Sequence, residues 1–103
     1  MTVRYKSLEL DKLTVTIPQE VLFQDLGEET VLLNVATGKY HGLNGVGSRI
    51  WELIQESNPM EMVLATLLEE FEVSSKTLED DLSQFLGVLQ SKGLIEIHEA
   101  DGQ

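Results

Sequence analysis

Cysteine is absent from the 103 residues of this sequence. Its absence excludes disulfides, thiolate metal ligands and cysteine nucleophiles together. Histidine is nearly as scarce, because His41 and His98 are the only two and they stand far apart in the chain. Two histidines without cysteine do not make the usual zinc ligand set, so we expect neither a metal nor another cofactor.

Basic residues are also few. Seven Lys and Arg stand against 18 Asp and Glu, which gives a formal net charge of −11. Proteins that bind nucleic acids draw much of their affinity from neutralised phosphates, and an acidic surface repels phosphates. We therefore expect neither nucleic acid nor an anionic membrane as a partner. The acidity favours a basic or neutral peptide, or a positively charged protein face, unless it serves only solubility.

Long apolar runs are missing as well. No stretch is long enough to cross a bilayer, and the opening residues MTVRYKSLELDKL lack the apolar core of a signal peptide. We expect a soluble cytoplasmic protein. A chain of this length with 42% hydrophobic residues supports one domain with one modest core. We divide it into an N-terminal arm at residues 1–20, a folded domain at 21–98 and a tail at 99–103.

The most informative stretch is VLLNVATGKYHGLNGVGSRIW, residues 31–51. Alternating apolar positions predict a strand, and Thr37-Gly38 predicts a tight turn in which Gly38 adopts the left-handed conformation. A second strand at residues 40–43 then leads directly into a helix. A further strand at residues 21–26 completes a three-stranded antiparallel meander, with residues 40–43 at its edge.

Three helices follow in the predicted order. The first covers residues 45–56, and Asn58-Pro59 predicts the start of the second. Ser74 is the predicted cap of the third helix, which ends at Lys92-Gly93. Residues 94–97 then read as a final short strand. The predicted fold class is α+β, similar to a winged helix-turn-helix, with a three-stranded antiparallel sheet followed by three helices.

Candidate catalytic residues all have simpler explanations. Glu79, Asp80 and Asp81 suggest paired carboxylates, but acidic residues near a helix N-terminus are explained by the helix dipole. His41 lies on the predicted edge strand, where a ring that packs against its neighbours is the more common role than a general base. We therefore predict that the protein is not an enzyme and has no catalytic residues.

Two segments carry a resemblance to a known family. LLNVATGKYHGLNGVGSRIWELI and DDLSQFLGVLQSKGLIEI resemble the signature of the PqqD-like family, small proteins also called RiPP recognition elements. The resemblance implies that the domain at residues 21–98 binds the leader segment of a ribosomally made precursor peptide. In such proteins the leader lies along the third strand and the third helix, and its core is presented to a modifying enzyme.

Carried over by position, the resemblance implies two groups of leader-facing residues. The strand contributes Lys39, Tyr40, His41, Gly42 and Leu43. The third helix contributes those of Leu78, Asp81, Leu82, Phe85 and Leu89 that the core does not fully bury, with Asp81 and Phe85 as the leading candidates. The implied partner enzyme is a radical SAM enzyme or a leader peptidase. The Thr-Gly hairpin followed by Tyr-His resembles the lasso-peptide type more closely.

Two other classes of function stay open at this point. A structural or regulatory subunit of a larger enzyme would bind its partner independently of any leader peptide. A winged-helix DNA-binding protein would share the helices, but only Lys76 and Lys92 supply basic residues to the third helix. A helix with so few basic residues is unfavourable for binding in a DNA groove.

Overall fold

The computed structural model describes residues 10, 12–56 and 60–99. The chain folds as an α+β domain in which a three-stranded antiparallel sheet is followed by three helices, and this confirms the predicted fold class. The elements in chain order are β1 (Leu13–Thr16), β2 (Val21–Asp25), β3 (Glu29–Asn34), β4 (Tyr40–Asn44), α1 (Gly45–Glu56), α2 (Met60–Glu70), α3 (Ser75–Ser91) and β5 (Glu96–Glu99).

The main sheet is a meander with the strand order β2-β3-β4. The turn between β3 and β4 contains Gly38, whose φ of 78° is the left-handed conformation predicted for it. Leu33 pairs with Tyr40 and Leu32 with His41, so the register places β4 beside β3 and leaves it at the edge, as predicted.

A second sheet joins the two ends of the described chain. β1 pairs antiparallel with β5, from Leu13 opposite Glu99 to Thr16 opposite Glu96. Part of the predicted arm is thus a strand, and Leu13 and Val15 are buried in the same core as the rest of the domain. The final strand begins at Glu96 and not at Leu94 as predicted, because the N–H of Leu94 still donates to the carbonyl of Leu89 at the end of the preceding helix. Residues 1–9, Asp11 and 100–103, which complete the predicted arm and tail, lie outside the described residues.

The helices pack around a single apolar core. Trp51 in α1 is only 1% exposed, and its ring meets that of Phe23 edge-on at 5.5 Å between centroids. Leu82 and Leu86 of α3 are buried beside it in the same cluster. Arg49 of α1 forms an ion pair with Glu70, and this hydrogen bond lowers the pKa of the Glu70 carboxyl and ties α1 to α2. No helix in the described ranges is long and apolar enough to span a membrane.

Local capping agrees with the sequence where it is described. Ser74 is the N-cap of α3, and its side-chain oxygen accepts from the backbone N–H of Thr77. The predicted start of the second helix at Asn58-Pro59 lies outside the described residues, and α2 is described from Met60.

The buried side chain of Asn34 fixes the position of α3 relative to the sheet. Its Oδ1 accepts from the backbone N–H groups of Ala36 and Thr37, which shapes the turn after β3. Its Nδ2 donates to the carbonyl of Gly93, just beyond α3, at 2.7 Å. One amide therefore holds the β3–β4 hairpin against the C-terminal end of α3, and this contact places α3 alongside β4.

Candidate functional site

The free edge of β4 is the first feature of the candidate site. Within the described part of the chain, β4 pairs with β3 only. The backbone N–H of Asn34 donates to the carbonyl of Lys39 at 2.8 Å, so this pair is hydrogen-bonded within the ladder. Because hydrogen-bonded and non-bonded pairs alternate along an antiparallel ladder, His41 and Leu43 also direct their main-chain groups towards β3.

It follows that Tyr40, Gly42 and Asn44 direct their N–H and C=O groups away from the sheet. One contact agrees with this assignment: the carbonyl of Tyr40 accepts from the ammonium of Lys92, which lies outside the sheet. These outward main-chain groups are those that an additional strand would pair with.

An apolar groove lies between β4 and α3, directly beside this edge, and its volume is about 530 Å³. We call it the β4–α3 groove. Its lining combines residues of β4, the first turns of α1, the α2–α3 connection and α3: His41, Gly42, Leu43, Asn44, Val46, Gly47, Ile50, Phe71, Val73, Leu78, Asp81, Leu82 and Phe85.

Gly47 keeps the middle of this groove open. A Cβ atom at this position would lie 3.5 Å from the Cβ of Leu43 and 3.5 Å from the Cε1 of Phe85. Strand β4 and helix α3 therefore face each other across a glycine, and any larger side chain there would project between them. The half-buried ring of Phe85 forms one wall and remains accessible from the groove.

The structure brings most of the predicted site residues together. Lys39 lies just before β4 and Tyr40 is its first residue. Both are exposed, Tyr40 by 70%, and neither lines the groove. Leu89 is fully buried in the core and also lies outside the groove, so we leave it out of the proposed site. The predicted residues that line the groove are His41, Gly42, Leu43, Leu78, Asp81, Leu82 and Phe85.

The sequence did not predict all of the residues that line the groove. Val46 and Ile50 stand on α1 directly after β4, and Phe71 and Val73 stand between α2 and α3. Each belongs to an apolar pattern that is typical of core packing, so the pattern alone does not separate groove from core. For Val46 the sequence did contain a signal of a place near the site. This residue stands one position after the predicted helix start, immediately beyond the edge strand.

Polar groups flank one end of the groove. The ammonium of Lys92 lies 2.9 Å from Nδ1 of His41. Because an ammonium only donates, Nδ1 is the acceptor and the imidazole carries its proton on Nε2. Burial, and then the positive charge of Lys92, hold the pKa of His41 below its ordinary value, which favours the neutral ring that this contact requires. Among the described residues, no group of three or more His, Cys, Asp or Glu is placed to hold a metal ion.

Comparison with known proteins agrees with this architecture. The family model for coenzyme PQQ synthesis protein D (PqqD) matches residues 29–95. The solved structure of TbiB1 in complex with the TbiA(beta) leader peptide is 40% identical, with a TM-score of 0.75, and the match covers 79% of this chain and 94% of that one. No curated protein sequence matches this chain.

A second solved structure shares the fold. Lasso peptide synthetase B1 complexed with the leader peptide is 22% identical to this chain, with a TM-score of 0.73. The match covers 81% of this chain and 98% of that one, so nearly the whole of that fold is present here.

The fold and the site together define a class: a small α+β domain that presents one free sheet edge beside an apolar groove. The family match and the 40% identity then identify the chain within that class. It belongs to the PqqD family and is a PqqD-like RiPP recognition element, which confirms the resemblance seen in its sequence.

Proposed function

We propose that this protein is a non-catalytic binding protein that recognises the leader segment of a ribosomally synthesised precursor peptide. The observation that carries the proposal is the free edge of β4 lying directly beside the β4–α3 groove. An extended peptide gains main-chain hydrogen bonds from such an edge and specificity from the pockets that receive alternate side chains. TbiB1, the 40% identical relative, forms a complex with a leader peptide, which supports the same role here.

The geometry specifies how the leader would bind. Its main chain would pair with the outward groups of Tyr40, Gly42 and Asn44. Alternate side chains would then enter the groove between Leu43 and Phe85, because successive residues of a strand point to opposite faces. Asp81 is exposed at the groove, where a polar or basic leader side chain would meet it. The apolar side chains would supply most of the affinity, since they leave water on binding.

The bound precursor would be presented to a separate enzyme in the cytoplasm. We propose a leader peptidase of the lasso-peptide type as that enzyme, with a radical SAM enzyme as the alternative. Copurification of the protein with each enzyme, with and without leader peptide, distinguishes these two. A partner that binds equally well without any leader peptide would instead favour the role of a structural subunit.

Amide hydrogen exchange tests the proposed binding mode. With saturating TbiA(beta) leader peptide, we expect new protection at Tyr40, Gly42 and Asn44, because their N–H groups become hydrogen-bonded to the added strand. Protection confined to α2 or β1, with β4 unchanged, would place the ligand elsewhere. Failure to bind both this leader and random peptides displayed on phage would overturn the proposed function.

Phe85→Ala should weaken leader binding by at least about 1 kcal/mol, because the ring forms an apolar wall of the groove. Glu69→Ala is the matched control, since Glu69 is exposed on α2 and lies outside the groove. Isothermal titration calorimetry with the TbiA(beta) leader measures both affinities. Melting curves must first show that Phe85→Ala is folded, because this half-buried ring also packs against the core. Equal affinities in the two variants would contradict the assignment of Phe85 to the site.

A further inference from the structure

Lys92 has an unusual set of partners for a lysine in so acidic a protein. Lys92 is a half-buried residue, and its ammonium donates to Nδ1 of His41 at 2.9 Å and to the carbonyl of Tyr40 at 3.4 Å, both of which are neutral acceptors. Arg49 and Lys76 each form ion pairs with carboxylates, whereas the exposed Lys39 forms none with the described residues. Across the described ranges, no carboxylate lies within ion-pair distance of Lys92, although the chain has a net charge of −11.

The position of Lys92 matters because Tyr40 directs its carbonyl towards the free edge of β4. An added strand would donate an N–H to that carbonyl, and such a bond is normally shorter than the present 3.4 Å contact with Lys92. The carbonyl has two lone pairs, so it would then be shared between the peptide N–H and the ammonium, and the long contact with Lys92 would weaken. A carboxylate of the peptide is the strongest acceptor that could compensate the ammonium, because both partners of that hydrogen bond are charged.

The groove also differs in charge between its two ends. The Lys92–Tyr40 contact and the approach of Phe85 to Leu43 across Gly47 show that α3 runs antiparallel to β4. Asp81 therefore lies at the end opposite Lys92, about 16 Å away along the helix axis. That distance corresponds to about five residues of extended strand. A bound strand would thus meet a positive charge at one end and a negative charge at the other.

We propose that Lys92 is a specificity-determining residue that recognises an Asp or Glu side chain of the bound peptide, at the end of the peptide that lies beside Tyr40. This inference rests on the proposed function, because it assumes a strand added to β4. Without ligand, His41 and the Tyr40 carbonyl hold the ammonium at the groove end. With ligand, the carboxylate of the peptide takes over the role of the Tyr40 carbonyl as acceptor for the ammonium.

The test is a selection from random dodecapeptides displayed on phage, with the full chain as bait. We expect the wild-type protein to enrich an acidic residue at a fixed spacing from the apolar residues that enter the groove. Lys92→Met should keep the apolar preference and lose the acidic one. Lys92→Glu should enrich a basic residue at the same position. Lys76→Glu is the matched control, because it makes the same charge change at an exposed position of α3 and should keep the wild-type preference.

A selected peptide then allows a double-mutant cycle. Replacing its acidic residue by the matching amide should weaken binding to the wild-type protein about tenfold. The same replacement in the peptide should leave its affinity for Lys92→Met unchanged, because this variant lacks the ammonium that the acidic residue would contact.

The outcomes separate the two proposals. Peptides that protect the β4 amides without any acidic preference, or with a preference that Lys92→Glu leaves unchanged, would overturn the role of Lys92 and leave the proposed function intact. A selection that enriches no peptide, or only peptides that leave β4 unprotected, would overturn the proposed function and this inference with it.

Discussion

Trp51→Ala should lower the free energy of unfolding by about 3–5 kcal/mol. The side chain is 1% exposed and packs within the core cluster, where its ring meets Phe23 edge-on. Removal of so large a buried side chain loses its transfer free energy and leaves a cavity that the surrounding helices cannot fully close. For a domain of this size, such a loss is a large fraction of the total stability.

Urea denaturation followed by far-UV circular dichroism measures this effect. Fluorescence is unsuitable because Trp51 is the only tryptophan in the chain. Trp51→Phe is the matched control: it keeps an aromatic ring opposite Phe23 and removes the indole N–H, which is buried without a hydrogen-bond partner among the described residues. We expect it to cost clearly less than alanine. Near-native unfolding of Trp51→Ala combined with lost peptide binding would show that Trp51 contacts the ligand and is not a core residue.

Gly42→Pro should reduce leader binding at least about tenfold while leaving most of the fold stability intact. Gly42 directs its N–H towards the free edge of β4, so proline removes a hydrogen bond to the ligand and none to β3. Proline is tolerated at such edge positions for this reason. Titration calorimetry with the TbiA(beta) leader gives the affinity, and thermal melting gives the stability.

Two further variants isolate the missing N–H as the cause. Gly42→Ala keeps the N–H, and its added Cβ meets no atom of the protein within 4 Å, so it should remain folded and bind more tightly than Gly42→Pro. His41→Pro removes an N–H that faces β3 and should cost about 1–3 kcal/mol of stability. If Gly42→Pro binds normally, the ligand does not pair with this edge. If it loses stability as His41→Pro does, the alternation assigned to β4 is wrong.

The regular elements could be read from the sequence because local rules dictate them. Helix α1 begins at Gly45 and ends at Glu56 as predicted, because the apolar residues of this stretch recur at helical spacing. Gly38 supplies the left-handed residue of the hairpin, and Ser74 caps α3. Each of these features depends on residues within a few positions of each other. Such features can therefore be predicted from the local sequence.

The arm and the final strand were harder to predict because their pairing is distant. Thr16 pairs with Glu96, and such a pairing has no local signal in either strand. Leu13, Val15 and Ile17 alternate with Thr14 and Thr16 as in a strand, but Pro18 ends this run, and the alternation does not reveal a partner strand. The burial of Leu13 and Val15 is therefore known only from the structure, in which β5 pairs with their strand.

The sequence by itself determined the order of elements from β2 to α3 and the edge position of β4, and it predicted most of the residues on β4 and α3 that line the groove. Only the tertiary structure decided which apolar residues line the groove and which fill the core, as Phe85 and Leu89 illustrate on one helix. It also brought Lys92 to His41, a contact between residues 51 positions apart. The physical reason is that helical spacing fixes which side chains share a face, whereas the contacts of that face depend on how distant elements pack against it.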